Sequence, residues 1–282
     1  MKNVLNTDLT GKVAVVTGAG GVLCSQFAAV LARAGAKVAL LDINEAAADA
    51  VAQAIAAEGG QARAYRCDVL SSAACREVAE RVLSDLGPCD ILINGAGGNN
   101  PRATTDKEYY FEGDLEADVK SFFDLDADGV SFVFNLNFLG TLLPTQAFAR
   151  QMLGRPGCNI LNISSMNAFT PLTKIPAYSG AKAAISNFTQ WLAVHFSKAG
   201  IRVNAIAPGF FVTKQNEKLL FDDEGKPTAR TGKILAATPM GRFGKAEELS
   251  GAVLFLLNNE AASFITGVVL PIDGGFSAYS GV

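Results

Sequence analysis

The stretch Val13-Ala14-Val15-Val16-Thr17-Gly18-Ala19-Gly20-Gly21-Val22-Leu23-Cys24 joins a β-branched run to residues of helical period through a glycine-rich turn. The run predicts a buried strand over Lys12–Thr17, and the alanine-rich residues that follow predict a helix over Leu23–Ala34. Three glycines lie where the chain must turn, and such a turn can bring backbone amides close to a pyrophosphate. A simple tight connection would use the same glycines, so the turn alone leaves both interpretations open.

Short β-branched runs continue to alternate with longer helical stretches, which indicates repeated β-α-β units. Further strands are predicted at Lys37–Leu41, Gln61–Arg66, Asp90–Ile93, Asn159–Ile163, Arg202–Ala207 and Val268–Pro271. Further helices are predicted at Glu45–Glu58, Ala73–Leu86, Val133–Leu153, Tyr178–Lys198 and Ala246–Leu257. We therefore expect the α/β class, with a single Rossmann-type doubly wound parallel sheet of about seven strands and helices on both faces.

The 282 residues are expected to form one dinucleotide-binding and catalytic domain over 1–282. Two stretches, near 98–128 and 210–238, break the regular alternation with polar, charged and aromatic residues. Both follow the carboxyl ends of predicted strands, where open α/β sheets bind their ligands. We therefore interpret them as insertions on the substrate side.

Composition argues against several classes of protein. Hydrophobic residues make up 49% of the chain and the formal net charge is −3, which offers no basic field for nucleic acid and no polybasic segment for a membrane surface. No apolar run reaches the ~18 residues of a membrane helix, so a cytoplasmic protein is expected. The five cysteines are dispersed, with no Cys-x-x-Cys pair and one histidine, which predicts reduced, buried thiols and no metal site.

Asp42 ends the second predicted strand, 24 residues beyond Gly18. A carboxylate in this position can accept hydrogen bonds from ribose hydroxyls and would repel a ribose phosphate. No Arg or Lys lies in the glycine turn or in Asp42–Glu45 to neutralise such a phosphate, so the expected cofactor is NAD rather than NADP. The alternative is that Asp42 or Asn44 merely caps the following helix.

Tyr178-Ser179-Gly180-Ala181-Lys182 opens a predicted helix, where a spacing of four places the phenol and the ammonium on one face. A free phenol has a pKa of about 10, and a nearby lysine together with an oxidised nicotinamide would favour the phenolate. Tyr178 could then act as general base or acid, although Tyr-x-x-x-Lys is also a common surface pair. A Ser-His-Asp site is not expected, because His195, the one histidine, lies in a helix predicted to pack on the core.

These motifs, with Cys67-Asp68-Val69, Asn94-Gly95-Ala96-Gly97 and Pro208-Gly209, make the chain resemble the short-chain dehydrogenase/reductases over nearly its whole length. The resemblance implies that Asn137, Ser165, Tyr178 and Lys182 are catalytic, with Ser165 holding the substrate oxygen and the Asn137 backbone helping to retain a water. The sequence departs from the family's pattern at Val22 and Cys24, where glycine is usual. The cofactor contacts it implies are Gly18, Gly20, Gly21, Val22, Leu23, Asp42, Asp68, Val69, Asn94, Ala96, Gly97, Tyr178, Lys182, Pro208, Gly209, Phe211 and Thr213.

Within the family, three segments are similar to the branch called D-mannonate oxidoreductase or fructuronate reductase: Gly97–Thr105, Asn137–Thr141 and Pro208–Thr213. This resemblance implies a sugar acid as substrate. Asn100 stands where that branch is expected to have histidine. Side chains expected near the substrate, to hold its carboxylate and hydroxyls, are Asn99, Asn100, Arg102, Lys174, Lys214 and Asn216.

Two other functions remain open from sequence. One is a dehydrogenase of another polyol, of gluconate or of a different secondary alcohol, and the other is a non-catalytic NAD-binding sensor. The sensor would be expected to lose Tyr178, Lys182 or Ser165, and all three are present. The family resemblance also implies a homo-oligomer, a tetramer or a dimer, in which the apolar tail Phe264–Phe276 could pack at a two-fold interface.

Overall fold

A computed structural model of the chain describes residues 6–212, 220–222 and 224–281. In that part the chain forms a parallel sheet of seven strands in the order β3-β2-β1-β4-β5-β6-β7. The strands are β1 (Val13–Thr17), β2 (Lys37–Asp42), β3 (Gln61–Arg66), β4 (Ile91–Asn94), β5 (Asn159–Ile163), β6 (Arg202–Pro208) and β7 (Val269–Ile272). The order reverses between β1 and β4, which creates the crevice where doubly wound sheets bind ligands.

Helices connect the strands and cover the sheet. They are α1 (Val22–Arg33), α2 (Glu45–Ala57), α3 (Ser72–Asp85), α4 (Ala127–Phe134), α5 (Gly140–Met152), α6 (Pro176–His195), α7 (Ala229–Ala236) and α8 (Ser250–Leu257). One buried cluster packs α1, α2 and α8 on one face of the sheet. A second packs α3, α5 and the end of α6 on the other, which confirms the predicted fold class.

All seven predicted strands are present, each displaced by no more than one residue at either end. The helix predicted over Val133–Leu153 is wrong in its start and its continuity. It begins at Ala127, and a π-helical turn over Asn135–Leu139 separates α4 from α5. Such a turn places an extra residue in the helix, and apolar spacing alone does not reveal it.

The first insertion is joined to neighbouring segments by polar contacts. The Lys174 ammonium donates to the Asp106 carbonyl oxygen at 2.5 Å, and the Thr105 amide donates to the Lys174 carbonyl oxygen at 3.0 Å. Glu108 pairs with Lys233 of α7 at 2.6 Å, which connects the two insertions. The stretch near 98–128 is therefore held by contacts with the segment before α6 and with α7.

The five cysteines are free and buried, as predicted. His195 is not in the core: it is exposed at the end of α6 and stacks on Trp191, with 4.7 Å between ring centroids. Leu192 and Ala193 of the same turn are buried, so His195 lies on the exposed side of α6 and the apolar pattern placed this residue wrongly. No helix in the described ranges is long and apolar enough to cross a membrane.

Candidate active site

The glycine turn lies against the end of β4, and Thr17 connects them. The Thr17 hydroxyl accepts hydrogen bonds from the Gly95 and Ala96 amides at 3.1 and 3.2 Å. Gly18 has φ +66°, and a Cβ there would lie 2.9 Å from the Ala96 Cα, so both conformation and close approach require glycine. Thr17 is not among the residues predicted for the site, although its place directly before the first glycine is a usable signal.

The turn ends at a helix N-terminus suited to an anion. Gly21 is the N-cap of α1, and no side chain caps the first amides of the helix. Uncapped amides and the helix dipole both favour a negative group in this position. The structure thus brings together Gly18, Gly20, Gly21, Val22 and Leu23 in a cradle that fits a pyrophosphate.

Asp42 faces this turn. Its Oδ2 accepts from the Gly20 amide at 2.9 Å, and its Oδ1 accepts from the Asn44 amide at 2.9 Å. Asn44, not Asp42, is the N-cap of α2, because its side chain accepts from the Ala47 amide. The helix-capping alternative therefore applies to Asn44 and leaves Asp42 as the carboxylate beside the turn.

Asp68 and Val69 follow β3, at the same carboxyl edge of the sheet as the glycine turn. Val69 is buried, and a Cβ on Gly140 at the start of α5 would lie 3.2 Å from its Cγ2. Asn94, at the end of β4, is turned into a buried network: its Nδ2 donates to Thr145 Oγ1 and Asn162 Oδ1, both at 2.9 Å. Any contact of Asn94 with a cofactor would therefore have to come from its backbone or its Oδ1.

Gly97 ends the segment that is predicted to contact the cofactor, and it lies against two of the predicted catalytic side chains. A Cβ on Gly97 would lie 2.6 Å from Asn137 Oδ1 and 3.2 Å from Lys182 Nζ. Only a residue without a side chain lets this backbone pass between those groups. Asn137, Lys182 and Gly97 are thus in direct proximity, although 85 positions of sequence separate Gly97 from Lys182.

Asn137 lies in the π-helical turn and is fully buried. Its Nδ2 donates to the carbonyl oxygens of Gly98 and Val133, both at 2.8 Å, and its Oδ1 accepts from the Gly98 amide at 3.3 Å. Its own carbonyl oxygen accepts from the Thr141 hydroxyl at 2.9 Å. The carboxamide therefore holds the Gly97–Gly98 backbone in place.

Ser165, Tyr178 and Lys182 converge at the carboxyl end of β5. The Lys182 ammonium donates to the Ile163 carbonyl oxygen at 2.8 Å and lies 5.5 Å from the centroid of the Tyr178 ring. Ser165 caps the 3₁₀ turn Met166–Ala168, and its hydroxyl faces the phenol closely enough to lower the pKa of Tyr178. Ser164 is engaged elsewhere, with the Lys182 carbonyl oxygen and Ser186.

Burial sets the proton affinities of this group. It raises the pKa of Tyr178 to about 12, against which the Ser165 hydroxyl acts in the opposite direction. Burial also lowers the pKa of Lys182 to about 8. A neutral phenol is therefore the resting form, and a further positive charge is needed to make the phenolate accessible near neutral pH.

The Pro208-Gly209 turn lies at the carboxyl end of β6. Pro208 ends the strand, and a Cβ on Gly209 would lie 2.6 Å from the Asp273 Cα, so this approach also requires glycine. The Phe211 side chain is buried against Gly244 and belongs to the core, which leaves its backbone for any cofactor contact. Thr213 lies outside the described residues.

The residues expected to hold substrate are engaged within the first insertion. Asn99 Nδ2 donates to Thr104 Oγ1 at 3.0 Å, and Asn100 Oδ1 accepts from the Arg102 amide at 2.9 Å. The Arg102 guanidinium pairs with Asp126 at 2.7 Å and with Asp128 at 3.7 Å. The Lys174 ammonium donates to the Asp106 carbonyl oxygen. Lys214 and Asn216 lie outside the described residues. A role for these side chains toward substrate stays a prediction.

Comparison with known proteins places this arrangement in a family. The sequence profile of the short chain dehydrogenases matches residues 12–224. An uncharacterized oxidoreductase of Haemophilus influenzae is 64% identical over 282 residues, which cover 100% of this chain and 99% of the relative. A crystal structure with bound NAD, of a protein from Haemophilus influenza provisionally named a D-mannonate oxidoreductase, is 63% identical, covers 100% of both chains and has a TM-score of 0.95.

A more distant structure shares the fold. It is a gluconate 5-dehydrogenase of Burkholderia cenocepacia in complex with NADP and tartrate, 30% identical, with a TM-score of 0.84 over 99% of this chain and 100% of that one. The fold, the glycine turn and the Ser-Tyr-Lys group define a dehydrogenase of the dinucleotide-binding class. The chain belongs to the short-chain dehydrogenase/reductase family and is an oxidoreductase.

Proposed function

We propose that the protein is an NAD-dependent oxidoreductase that interconverts a secondary alcohol and a ketone, with a sugar acid such as D-mannonate/D-fructuronate as substrate. The observation that carries this proposal is the convergence of Ser165, Tyr178 and Lys182 beside Gly97 at the ligand-binding edge of the sheet. When bound, the nicotinamide ring supplies or accepts the hydride. The protein contributes orientation and proton transfer.

Tyr178 is the proposed general acid in ketone reduction and the general base in alcohol oxidation. Its protonated resting form suits the acid role, because burial raises its pKa. The charged Lys182, together with an oxidised nicotinamide, would favour the phenolate in the reverse direction. Ser165 would hold the substrate oxygen by a hydrogen bond, and Asn137 would keep the Gly97–Gly98 backbone and Lys182 correctly spaced.

Asp42 supports NAD over NADP. Its carboxylate is fixed beside the turn by the Gly20 and Asn44 amides, so it stands where a ribose phosphate would meet a negative charge. The Haemophilus structure contains NAD, whereas the Burkholderia structure contains NADP. For this chain we propose a preference for NAD on the basis of the Asp42 carboxylate.

A sugar acid is supported by the similarity to the Haemophilus protein. For the carboxylate we propose Lys214 and Asn216, on their place in the sequence after the Pro208-Gly209 turn. Gluconate 5-dehydrogenase is the second candidate, because a neighbour with that name shares the fold over nearly the whole chain.

The test is the loss of NADH absorbance with purified protein and a panel of ketones: fructuronate, 5-ketogluconate, 2-ketogluconate and butanone. We expect oxidation of NADH with fructuronate. Oxidation with 5-ketogluconate alone would favour the second candidate, and oxidation with butanone alone would overturn the sugar-acid assignment. A protein that binds NADH and reduces none of an extended panel would instead be a non-catalytic sensor.

We also propose a homo-oligomer. Trp191 and Val194 on α6 have 57% and 77% of their surface exposed, and Phe264 in the apolar tail is fully exposed. Contiguous patches of exposed apolar side chains are typical of surfaces that another chain covers. The molar mass of the purified protein from light scattering tests the proposed homo-oligomer, and a monomer at micromolar concentration would contradict it.

A further inference from the structure

The side chain of Asn167 is buried, and its carboxamide has no hydrogen-bond partner among the residues that the structure describes. The residue is 4% exposed, and its Oδ1 bonds to nothing in the described part of the chain. The backbone amide of Asn167 donates to Ser165 Oγ at 3.3 Å. A side chain with two donors and acceptor lone pairs is thus left unused within the fold.

Other buried asparagines of the same region behave differently. Asn94, Asn137 and Asn162 each donate through Nδ2 to a partner on another segment or turn. Burying an amide without partners destabilises a fold, and each such group calls for an explanation such as a ligand or a water. The Oδ1 atoms of Asn94 and Asn167 are both buried without a partner, but Asn94 donates twice through Nδ2, whereas no side-chain hydrogen bond of Asn167 is found among the described residues.

Asn167 lies directly beside the proposed catalytic group. It is in the 3₁₀ turn Met166–Ala168, whose N-cap is Ser165 at the carboxyl end of β5. This turn packs against α6, which carries Tyr178. A ketone oxygen held between Ser165 and Tyr178 would bring the substituents of the adjacent carbon within reach of residue 167.

We propose that Asn167 is a specificity-determining residue that hydrogen-bonds a hydroxyl or carboxylate oxygen on the carbon next to the reacting carbonyl. The inference rests on the proposed function and narrows its substrate class to ketones with such an oxygen. A hydroxyl both donates and accepts, as the carboxamide does. A substrate that lacks the oxygen leaves the amide unpaired, so the site rejects it.

The test compares Asn167→Leu with wild type on acetoin and butanone, which differ by one hydroxyl next to the carbonyl, with NADH as reductant. Leucine has a similar volume and no hydrogen-bonding group. Met166→Leu is the matched control, because Met166 is buried in the same turn and carries no hydrogen-bonding amide. Affinity for NADH and the temperature of unfolding are measured for each variant.

We expect wild type to prefer acetoin in kcat/KM, and Asn167→Leu to lose that preference by at least roughly tenfold with butanone unaffected. Met166→Leu keeps the preference. NADH affinity stays unchanged, and the unfolding temperature of Asn167→Leu stays equal or rises, because an unpaired amide is removed.

Equal losses for both ketones in Asn167→Leu would overturn the inference. A lower unfolding temperature with an unchanged preference would overturn it as well, since it identifies an amide that holds a structural water. A wild-type enzyme that favours acetoin through Asn167 and leaves fructuronate unreduced would overturn only the sugar-acid assignment.

Discussion

Cys24 and Gly95 share one small space beneath the glycine turn: a Cβ atom on Gly95 would overlap the Cys24 sulfur. Cys24 stands where the family pattern usually has glycine, and its sulfur occupies the space that a side chain at position 95 would need. The thiol is buried, and burial raises its pKa to about 12, so it is a packing group and not a reactive one.

Gly95→Ala is expected to weaken NAD binding and to destabilise the fold by about 1–3 kcal/mol, because the added methyl meets the sulfur and displaces the Gly95 and Ala96 amides from Thr17. Cys24→Ala in the same chain should restore much of the loss. Urea unfolding and NAD titration of both single variants and the double variant measure the coupling. Additive effects of the two changes would show that the residues do not share the space.

Tyr178→Phe is expected to reduce kcat by roughly 100-fold or more in either direction, because it removes the proton that the phenol transfers. NADH affinity should be nearly unchanged. Stopped-flow turnover and NADH titration check the two halves of this expectation. Retained turnover would exclude Tyr178 as the acid and base.

Asp42→Asn separates two roles of this side chain. The amide keeps an oxygen for the Gly20 amide and loses the negative charge. We expect Asp42→Asn to bind NADP more tightly than wild type with the turn intact, and Asp42→Ala to lose affinity for NAD as well. Dissociation constants for NADH and NADPH test this; an unaltered ratio in both variants would mean that the carboxylate does not select the cofactor.

Lys182→Met is expected to change the pH dependence of stability. The Lys182 pKa is about 8 in the folded protein and 10.5 for an unperturbed lysine. At pH values between these two, the unfolded chain binds more protons than the folded protein. The free energy of unfolding of wild type therefore increases with rising pH, relative to that of the methionine variant. The full cost of burying the charge, roughly 3 kcal/mol, applies below pH 8 and disappears above pH 10.5.

The measurement is the free energy of unfolding of wild type and Lys182→Met between pH 7 and 11. The difference in the free energy of unfolding between wild type and Lys182→Met should become smaller as the pH rises across this range. A difference independent of pH would show that the folded-state pKa is not depressed.

Arg102→Leu is expected to leave the KM for the keto acid unchanged and to lower the unfolding temperature, because the guanidinium is paired with Asp126. Asp126→Asn is the matched control: it keeps an acceptor for the Gly129 amide and removes the charge opposite Arg102. Similar small effects of both changes support a structural ion pair. A raised KM in Arg102→Leu alone would instead support the prediction that the arginine holds the substrate.

Much of the fold followed from local pattern. The order of strands and helices, the glycine turn, Asp42 at the end of β2 and the Tyr178-x-x-x-Lys182 spacing were all predicted, since each lies within one contiguous segment. Periodicity and turn chemistry act over a few residues, so the printed sequence carries them directly. Ser165 and Asn137 needed the family resemblance, because a serine after a strand or an asparagine in a helix is common.

Contacts between distant segments required the tertiary structure. The hydrogen bonds of Thr17 to Gly95 and Ala96, the passage of Gly97 between Asn137 and Lys182, and the π-helical turn were not predicted. The pairing of Arg102 with Asp126 and the unpaired amide of Asn167 also came from the structure alone. Sequence spacing reports what one element presents on its surface, whereas these features depend on how closely separate elements pack, and that distance exists only once the sheet has assembled.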